Sequence, residues 1–278
     1  MILRTVDLYA EYGLHKPNGA RGTLKCWIQE PNPEVSSNRQ FPAALILPGG
    51  AYVMTSLRDQ EPLAMKLLVR NYSVFVLEYS VAPLYFPTQL REAVMAMGWL
   101  RKHAEDLHIL PNKIVAMGFS AGGHLCGTLG TMYDSTDVDD LGIADARPNA
   151  LVLGYPVCVS HGRTHEETFD NVSGGDSALK QRLSLDRLVR PDMPPVFLWH
   201  TANDDLVPAR NSLVLAEALD EARVPYALYI YRDGPHGLSA ADQSVYATTE
   251  SITFSPDAAN WMEAAMRFLQ ESGFGITD

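Results

Sequence analysis

Cysteine is scarce in this chain of 278 residues, which contains only Cys26, Cys126 and Cys158. Three widely separated thiols cannot form the disulfide framework that stabilises many small secreted proteins. Their scarcity therefore predicts a reduced protein, and we expect it in the cytoplasm.

Long apolar runs are missing as well. No stretch approaches the roughly 18 consecutive apolar residues that a helix needs to cross a bilayer. The first residues, MILRTVDLYAEYG, carry charges early and lack the apolar centre of a secretory signal. We therefore expect a soluble protein with no membrane partner.

Positive charge is in deficit, with 22 Lys and Arg residues against 33 Asp and Glu residues and a net charge of -11. Binding to a nucleic-acid backbone requires clustered Lys and Arg, so no nucleic-acid partner is expected. Internal repeats and low-complexity segments are not evident either. The length permits one large domain or two small ones, and we predict a single domain over residues 1–278. The sequence leaves the oligomeric state open, and a homo-oligomer is one possibility.

Short apolar segments alternate with segments of helical periodicity along most of the chain. Predicted strands lie at 2–10, 23–29, 43–48, 73–81, 113–119, 150–157, 194–201 and 226–233, and predicted helices at 59–71, 87–107, 121–132, 209–222 and 257–271. The first two strands suit an edge hairpin. The later alternation predicts an α/β fold with a mostly parallel central sheet flanked by helices.

Residues 158–193 interrupt this alternation. They mix charges of both signs with few apolar residues, too few for an independent core. We predict a small cap insertion of two short helices that rests over one end of the sheet.

A serine stands where a buried strand meets a helix, in the segment GFSAG (118–122). The spacing G-x-S-x-G is typical of a nucleophile elbow, a sharp turn that exposes the serine hydroxyl beside a helix N-terminus. Glycines on both sides avoid the clashes that a Cβ would cause. The alternative is a plain glycine-rich turn, but the position between a strand and a helix favours Ser120 as a nucleophile.

A serine nucleophile needs a base and an acid, and in this arrangement they follow it in the order acid, then base, each after a later strand. His236 lies between glycines after the strand 226–233 and is the predicted base. Asp204 and Asp205 both follow the strand 194–201. Neighbouring side chains of a loop usually point in different directions, so we predict that one of them, Asp204, orients the histidine.

Small residues also follow the strand 43–48, in the segment LPGGAY (47–52). Bare backbone N–H groups at this place suit an oxyanion hole, although Pro-Gly-Gly is also an ordinary turn. Tyr52 is a candidate for the substrate-binding wall of the pocket, with core packing as an equal alternative.

With these residues in hand, the chain resembles the α/β-hydrolase superfamily from about residue 40 to 272. It is most similar to small bacterial acetylesterases and acetyl-xylan-esterase-like enzymes, also labelled sugar hydrolases. The strings that carry the resemblance are LPGGAY, LEYSVAP, GFSAGGHL, WHTANDDLVP and DGPHG. It implies the α/β-hydrolase fold and a triad of Ser120, Asp204 and His236.

The resemblance also implies the oxyanion donors, which would be the backbone N–H groups of Ala121 and of either Gly50 or Ala51. This chain departs from relatives that carry His-Gly-Gly-Gly in the oxyanion loop, because Pro48 occupies the histidine position. The departure argues against the hormone-sensitive-lipase branch.

The predicted function is therefore hydrolysis of small-molecule, short-chain carboxylic esters. Acetyl esters, and among them O-acetylated sugars, are the favoured substrates. The polar insertion argues against a lipase lid. Two alternatives stay open: a peptidase of the prolyl-oligopeptidase type, which would generally bring a gating domain for which we expect no room here, and a non-catalytic ligand-binding protein on a hydrolase scaffold.

The other histidines give weaker indications of function. His161 and His165 with Glu166 could suggest a metal, but no matching ligand set accompanies them, so no metal and no organic cofactor is expected. His124 either supports the site or packs within its helix. His200 ends a strand and should pack near the site.

Overall fold

Eight strands of the chain pair into one sheet in the computed structural model, which describes residues 1–245 and 255–274. In chain order they are β1 (Ile2–Asp7), β2 (Thr23–Ile28), β3 (Phe41–Leu47), β4 (Ser73–Glu78), β5 (Ile109–Phe119), β6 (Ala150–Gly154), β7 (Val196–Thr201) and β8 (Tyr226–Tyr231). The order across the sheet is β1-β2-β4-β3-β5-β6-β7-β8. The pairs β1·β2 and β2·β4 are antiparallel and the others are parallel, which confirms the predicted α/β architecture and the edge hairpin.

Helices connect and cover these strands. They are α1 (Leu8–Glu11), α2 (Glu61–Leu68), α3 (Thr88–Lys102), α4 (Ala121–Met132), α5 (Glu166–Ser173), α6 (Ser177–Arg182), α7 (Leu185–Leu188), α8 (Arg210–Glu221) and α9 (Trp261–Leu269). Within the described ranges, none of the helices has the length and apolarity of a membrane span.

The sheet has a core on each face. Successive side chains of a strand point to opposite faces, so Leu45 of β3 and Leu153 of β6 enter one apolar cluster while Ile46 and Val152 enter the other. Burial on both faces explains why these strands read as continuous apolar runs rather than as alternating ones.

The strand order reverses at β3. The chain leaves β3 for β4 on one side and returns to pair β5 on the other, with Leu47 aligned to Gly118. The loops that follow β3 and β5 therefore meet at the carboxyl edge of the sheet. Parallel sheets commonly hold their ligands in the crevice at such a reversal.

Several predicted boundaries differ from the observed ones by a few residues, and two of the larger differences have identifiable reasons. β1 ends at Asp7 rather than at residue 10, because the Asp7 carboxylate accepts the N–H groups of Tyr9 and Ala10 and begins α1. α3 ends at Lys102 rather than at 107, because turns replace the helical hydrogen bonds and His108 adopts a positive φ of 51°.

The insertion 158–193 forms three short helices, α5, α6 and α7, rather than two. Phe169, Val172, Leu183 and Leu185 of this segment are buried in the same apolar cluster as one face of the sheet. The insertion is therefore packed onto the main core.

Candidate active site

The turn from β5 to α4 holds Ser120 at φ 54° and ψ −120°, a conformation that L residues rarely adopt. Glycine is required on both sides of it. A Cβ on Gly122 would lie 2.0 Å from the carbonyl oxygen of Leu47, and one on Gly118 would lie 2.2 Å from the carbonyl oxygen of Gly122. The sharp turn predicted for GFSAG is thus the observed one.

The hydroxyl of Ser120 lies 2.8 Å from Nε2 of His236. His236 belongs to the loop after β8, and its ring packs edge-on against the ring of Tyr155, with 5.0 Å between centroids. Residues 116 positions apart in the sequence are therefore within proton-transfer distance.

The carboxylate of Asp204 orients this imidazole. Oδ2 of Asp204 lies 2.8 Å from Nδ1 of His236, and Oδ1 accepts the backbone N–H groups of Leu206 and Val207 at 3.0 and 2.8 Å. Asp205 is exposed, so the preference for Asp204 agrees with the geometry.

A second histidine contacts the same carboxylate. Nε2 of His200, which is fully buried at the end of β7, lies 3.3 Å from Oδ2 of Asp204 and 2.8 Å from the carbonyl oxygen of Val207. Both neighbours accept hydrogen bonds, so this nitrogen carries the proton. Burial alone would raise the pKa of Asp204, but the hydrogen bonds from His200 and His236 hold it well below its usual range.

The loop after β3 lies against Ser120 and presents unpaired N–H groups. The carbonyl oxygen of Gly49 accepts the N–H of Ser56, and that of Gly50 accepts those of Val53 and Met54. In a trans peptide the N–H points away from its carbonyl, so the N–H groups of Gly50 and Ala51 face away from this turn. Among the described residues neither donates a hydrogen bond, and neither does the N–H of Ala121 at the start of α4.

The N–H of Gly49 is occupied, because it donates to Oδ2 of the buried Asp59 at 2.9 Å. The other oxygen of Asp59 accepts the hydroxyl of Tyr155, which itself accepts the N–H of Ser239 at 2.8 Å. Burial raises the pKa of Asp59. This carboxyl joins the loop after β3 to the loop that carries His236, and sequence reasoning missed it because its partners are backbone groups and a tyrosine far along the chain.

Tyr52 takes the packing role that the sequence left open as an alternative. Only 1% of the residue is exposed, and its hydroxyl lies 2.8 Å from Nδ1 of His124. Its ring also packs edge-on against Tyr79. The side chain is therefore part of the core beneath the loop, and the proposed wall position is not supported by its burial.

The insertion reaches the loop after β3 through Nδ2 of Asn171, which lies 2.9 Å from the carbonyl oxygen of Ala51. Burial lowers the pKa of His165, which precedes α5, and its Nδ1 lies 2.9 Å from the hydroxyl of Thr168. His161 pairs with Asp186 instead, at 3.0 Å. Within the described parts of the chain, no group of three or more His, Cys, Asp and Glu side chains could hold a metal ion.

The chain matches two known family models and is similar to a solved structure over nearly its whole length. The model of the prolyl oligopeptidase family matches residues 91–260, and the model described as BD-FAE matches residues 31–150. The crystal structure of an acetyl ester-xyloside bifunctional hydrolase from Caldicellulosiruptor lactoaceticus is similar with a TM-score of 0.83 and 31% identity, over 98% of this chain and 97% of that one.

Two curated proteins are also similar. Endo-1,4-beta-xylanase B of Butyrivibrio fibrisolvens is 34% identical over 232 residues, 80% of this chain and 35% of that protein. An acetylxylan esterase of Xylanibacter ruminicola is 27% identical over 262 residues, 91% of this chain and 50% of that protein. The chain therefore spans half or less of the length of these curated relatives.

Proposed function

Because this chain belongs to the α/β hydrolases, in the broad family that the prolyl oligopeptidase model describes, we propose that it hydrolyses short-chain carboxylic esters through an acyl-enzyme. Ser120 is the nucleophile, His236 the general base and Asp204 the residue that orients it. The observation that carries the proposal is the unbroken chain of hydrogen bonds from the Ser120 hydroxyl through His236 to Asp204.

The hydrogen-bond directions define how the proton moves. The ionised Asp204 can only accept, so Nδ1 of His236 donates to it and Nε2 is free to take the Ser120 proton. As the serine oxygen bonds to the ester carbonyl carbon, the imidazole becomes an imidazolium beside the carboxylate. It then returns the proton to the departing alcohol, and water deacylates the serine by the same route.

Negative charge develops on the carbonyl oxygen during attack. The unpaired N–H groups of Ala121, Gly50 and Ala51 are the donors available to it, and the N-terminus of α4 adds the positive end of a helix dipole. Gly49 is not a donor because Asp59 already accepts its N–H. All of these steps use groups of this chain.

The substrate class that we favour is an acetyl ester of a sugar. Relatives similar over most of this chain are named for acetylxylan and for acetyl ester-xyloside hydrolysis. The insertion is polar and contacts the loop after β3 through Asn171, which suits an alcohol that bears hydroxyl groups better than a lipid chain. The match to the prolyl oligopeptidase model makes an aminoacyl amide the second candidate.

A panel of substrates tests the proposal. We expect kcat/KM to be at least about tenfold higher for para-nitrophenyl acetate than for the octanoate, since an extended chain gains little from a polar site. Acetylated xylobiose should release acetate, and prolyl para-nitroanilide should react far more slowly. If the anilide reacted faster than every ester, the protein would be a peptidase rather than an esterase. If none of these substrates reacted, the proposed hydrolase activity would be refuted.

A further inference from the structure

The loop after β3 has an unusual backbone. Gly50, Ala51 and Tyr52 all have positive φ, at 128°, 50° and 58°. Glycine tolerates such values, but Ala51 and Tyr52 are strained by them, and strained residues persist only where their surroundings hold them. Two successive strained residues beside an oxyanion site therefore require an external support.

Hydrogen bonds within the loop support only part of it. The carbonyl groups of Gly49 and Gly50 are held by N–H groups of the same loop. The carbonyl of Ala51 is held instead by Nδ2 of Asn171, at 2.9 Å. Asn171 lies on α5 of the insertion, 120 residues further along the chain.

A second contact from the insertion reaches Tyr52 through His124. The carbonyl of Leu183 lies 2.8 Å from Nε2 of His124 and can only accept, so this nitrogen carries the proton. Burial lowers the pKa of His124 to about 4, so the ring is neutral near pH 7 and its Nδ1 accepts the hydroxyl of Tyr52. Phe169 of α5 packs edge-on against the same imidazole.

We propose that the insertion 158–193 is a fixed support for the oxyanion loop and that Asn171 is its positioning residue, acting through the Ala51 carbonyl on the neighbouring N–H donors. The inference rests on the proposed function. It differs from a substrate cover, because a cover would chiefly change KM, whereas a support for the oxyanion donors changes stabilisation of the transition state and therefore kcat.

The experiment compares Asn171→Ala and Asn171→Asp with Gln181→Ala. Gln181 is an exposed residue of the same insertion, so its substitution also deletes a side-chain amide but touches nothing in the loop. With para-nitrophenyl acetate as substrate, both Asn171 variants should lose about 10- to 100-fold in kcat while KM stays within about twofold, as expected for displaced oxyanion donors. Gln181→Ala should match the wild type.

Inhibition by a trifluoromethyl ketone distinguishes a loss of oxyanion stabilisation from a merely structural effect of the substitution. It forms a tetrahedral adduct with the serine, so its inhibition constant should rise in proportion to the loss of kcat/KM. The carbonyl of Tyr52 is also held by the N–H of Ala82 at 2.8 Å, so Tyr52→Phe removes only the contact through His124 and should reduce kcat in the same direction. This second variant keeps the test valid if the Asn171 variants fail to fold.

The outcomes are distinguishable. An active wild type with unchanged kcat in Asn171→Ala, a loss only in Asn171→Asp, or a change confined to KM would each overturn the role of Asn171. If the Asn171 variants do not fold, an unchanged kcat in Tyr52→Phe overturns the proposal that the insertion supports this loop. A wild type that hydrolyses no ester would overturn the proposed function, and the inference would fall with it.

Discussion

Ser120 illustrates how the site depends on single residues. Its φ of 54° costs about 1–3 kcal/mol in an L residue. The surrounding backbone holds it there, because its N–H donates to the carbonyl of Gly154 and its own carbonyl accepts the N–H groups of His124 and Val157. This strained turn is what presents the hydroxyl to His236.

The two neighbouring aspartates provide a matched test at this scale. Asp204→Asn should lower kcat by about 10⁴-fold, because an amide can stabilise the wrong imidazole tautomer and carries no charge to balance the imidazolium. Asp205→Asn should stay within about twofold, since Asp205 is exposed and outside the hydrogen-bond chain. Steady-state kinetics with para-nitrophenyl acetate measures both, and equal losses in the two variants would contradict the assignment.

Sequence patterns identify some residues of the site and not others. Ser120, Asp204 and His236 could be selected because each follows a strand in a fixed chain order. Asp59 and Asn171 could not, because each acts on a backbone group of a loop that only folding brings near. Neither the periodicity nor the spacing of residues in the sequence predicts such contacts.

At the scale of elements, the strand and helix types follow from the sequence, while their ends depend on local hydrogen bonds. The apolar runs of β3 to β7 are long enough to identify buried strands. The number of helices in the insertion is harder to predict from the sequence. The helices α6 and α7 are short, and their apolar residues pack into the main core rather than forming a periodic face of their own.

Helix α3 carries a buried carboxyl that links it to α1 and to the segment after β4. Glu92 accepts the hydroxyl of Tyr9 at 3.0 Å and the N–H of Ser80 at 2.6 Å. Burial raises the pKa of Glu92 to about 7, against the opposing effect of the hydrogen bonds from Ser80 and Tyr9. The folded protein therefore binds this proton more tightly than the unfolded chain does.

This pKa predicts the sign of a pH dependence. Between the unfolded pKa of about 4.5 and the folded pKa of about 7, the folded state holds the extra proton, so stability falls as the pH rises through this window. The fall amounts to about 3 kcal/mol for a shift of this size. Glu92→Gln should remove this fall, as measured by urea unfolding at pH 5 and pH 8.

The difference between the wild type and Glu92→Gln separates the pH dependence caused by Glu92 from that caused by other titratable groups. Asp59, whose pKa is also raised by burial, contributes a fall of the same sign in both proteins and cancels in their difference. Parallel stability curves for the wild type and Glu92→Gln would show that the carboxyl ionises normally in the folded protein.

At the scale of the whole molecule, the arrangement of the sheet brings the site together. The order reversal at β3 places the loop after β3 beside Ser120, and the loops of Asp204 and His236 follow the carboxyl ends of β7 and β8 at the same edge. The insertion then packs onto this edge through the shared apolar core. The parallel architecture was predictable from the alternation of elements, but the contact of the insertion with the loop after β3 was not.

The proposed function requires that this assembly makes Ser120 a nucleophile. Labelling with a fluorophosphonate, followed by peptide mass spectrometry, tests this requirement, because the reagent reacts with activated serines. We expect one label per chain on Ser120, no label in Ser120→Ala and strongly slowed labelling in His236→Ala. A wild-type protein that remains unlabelled, or that is labelled on a different serine, would contradict it.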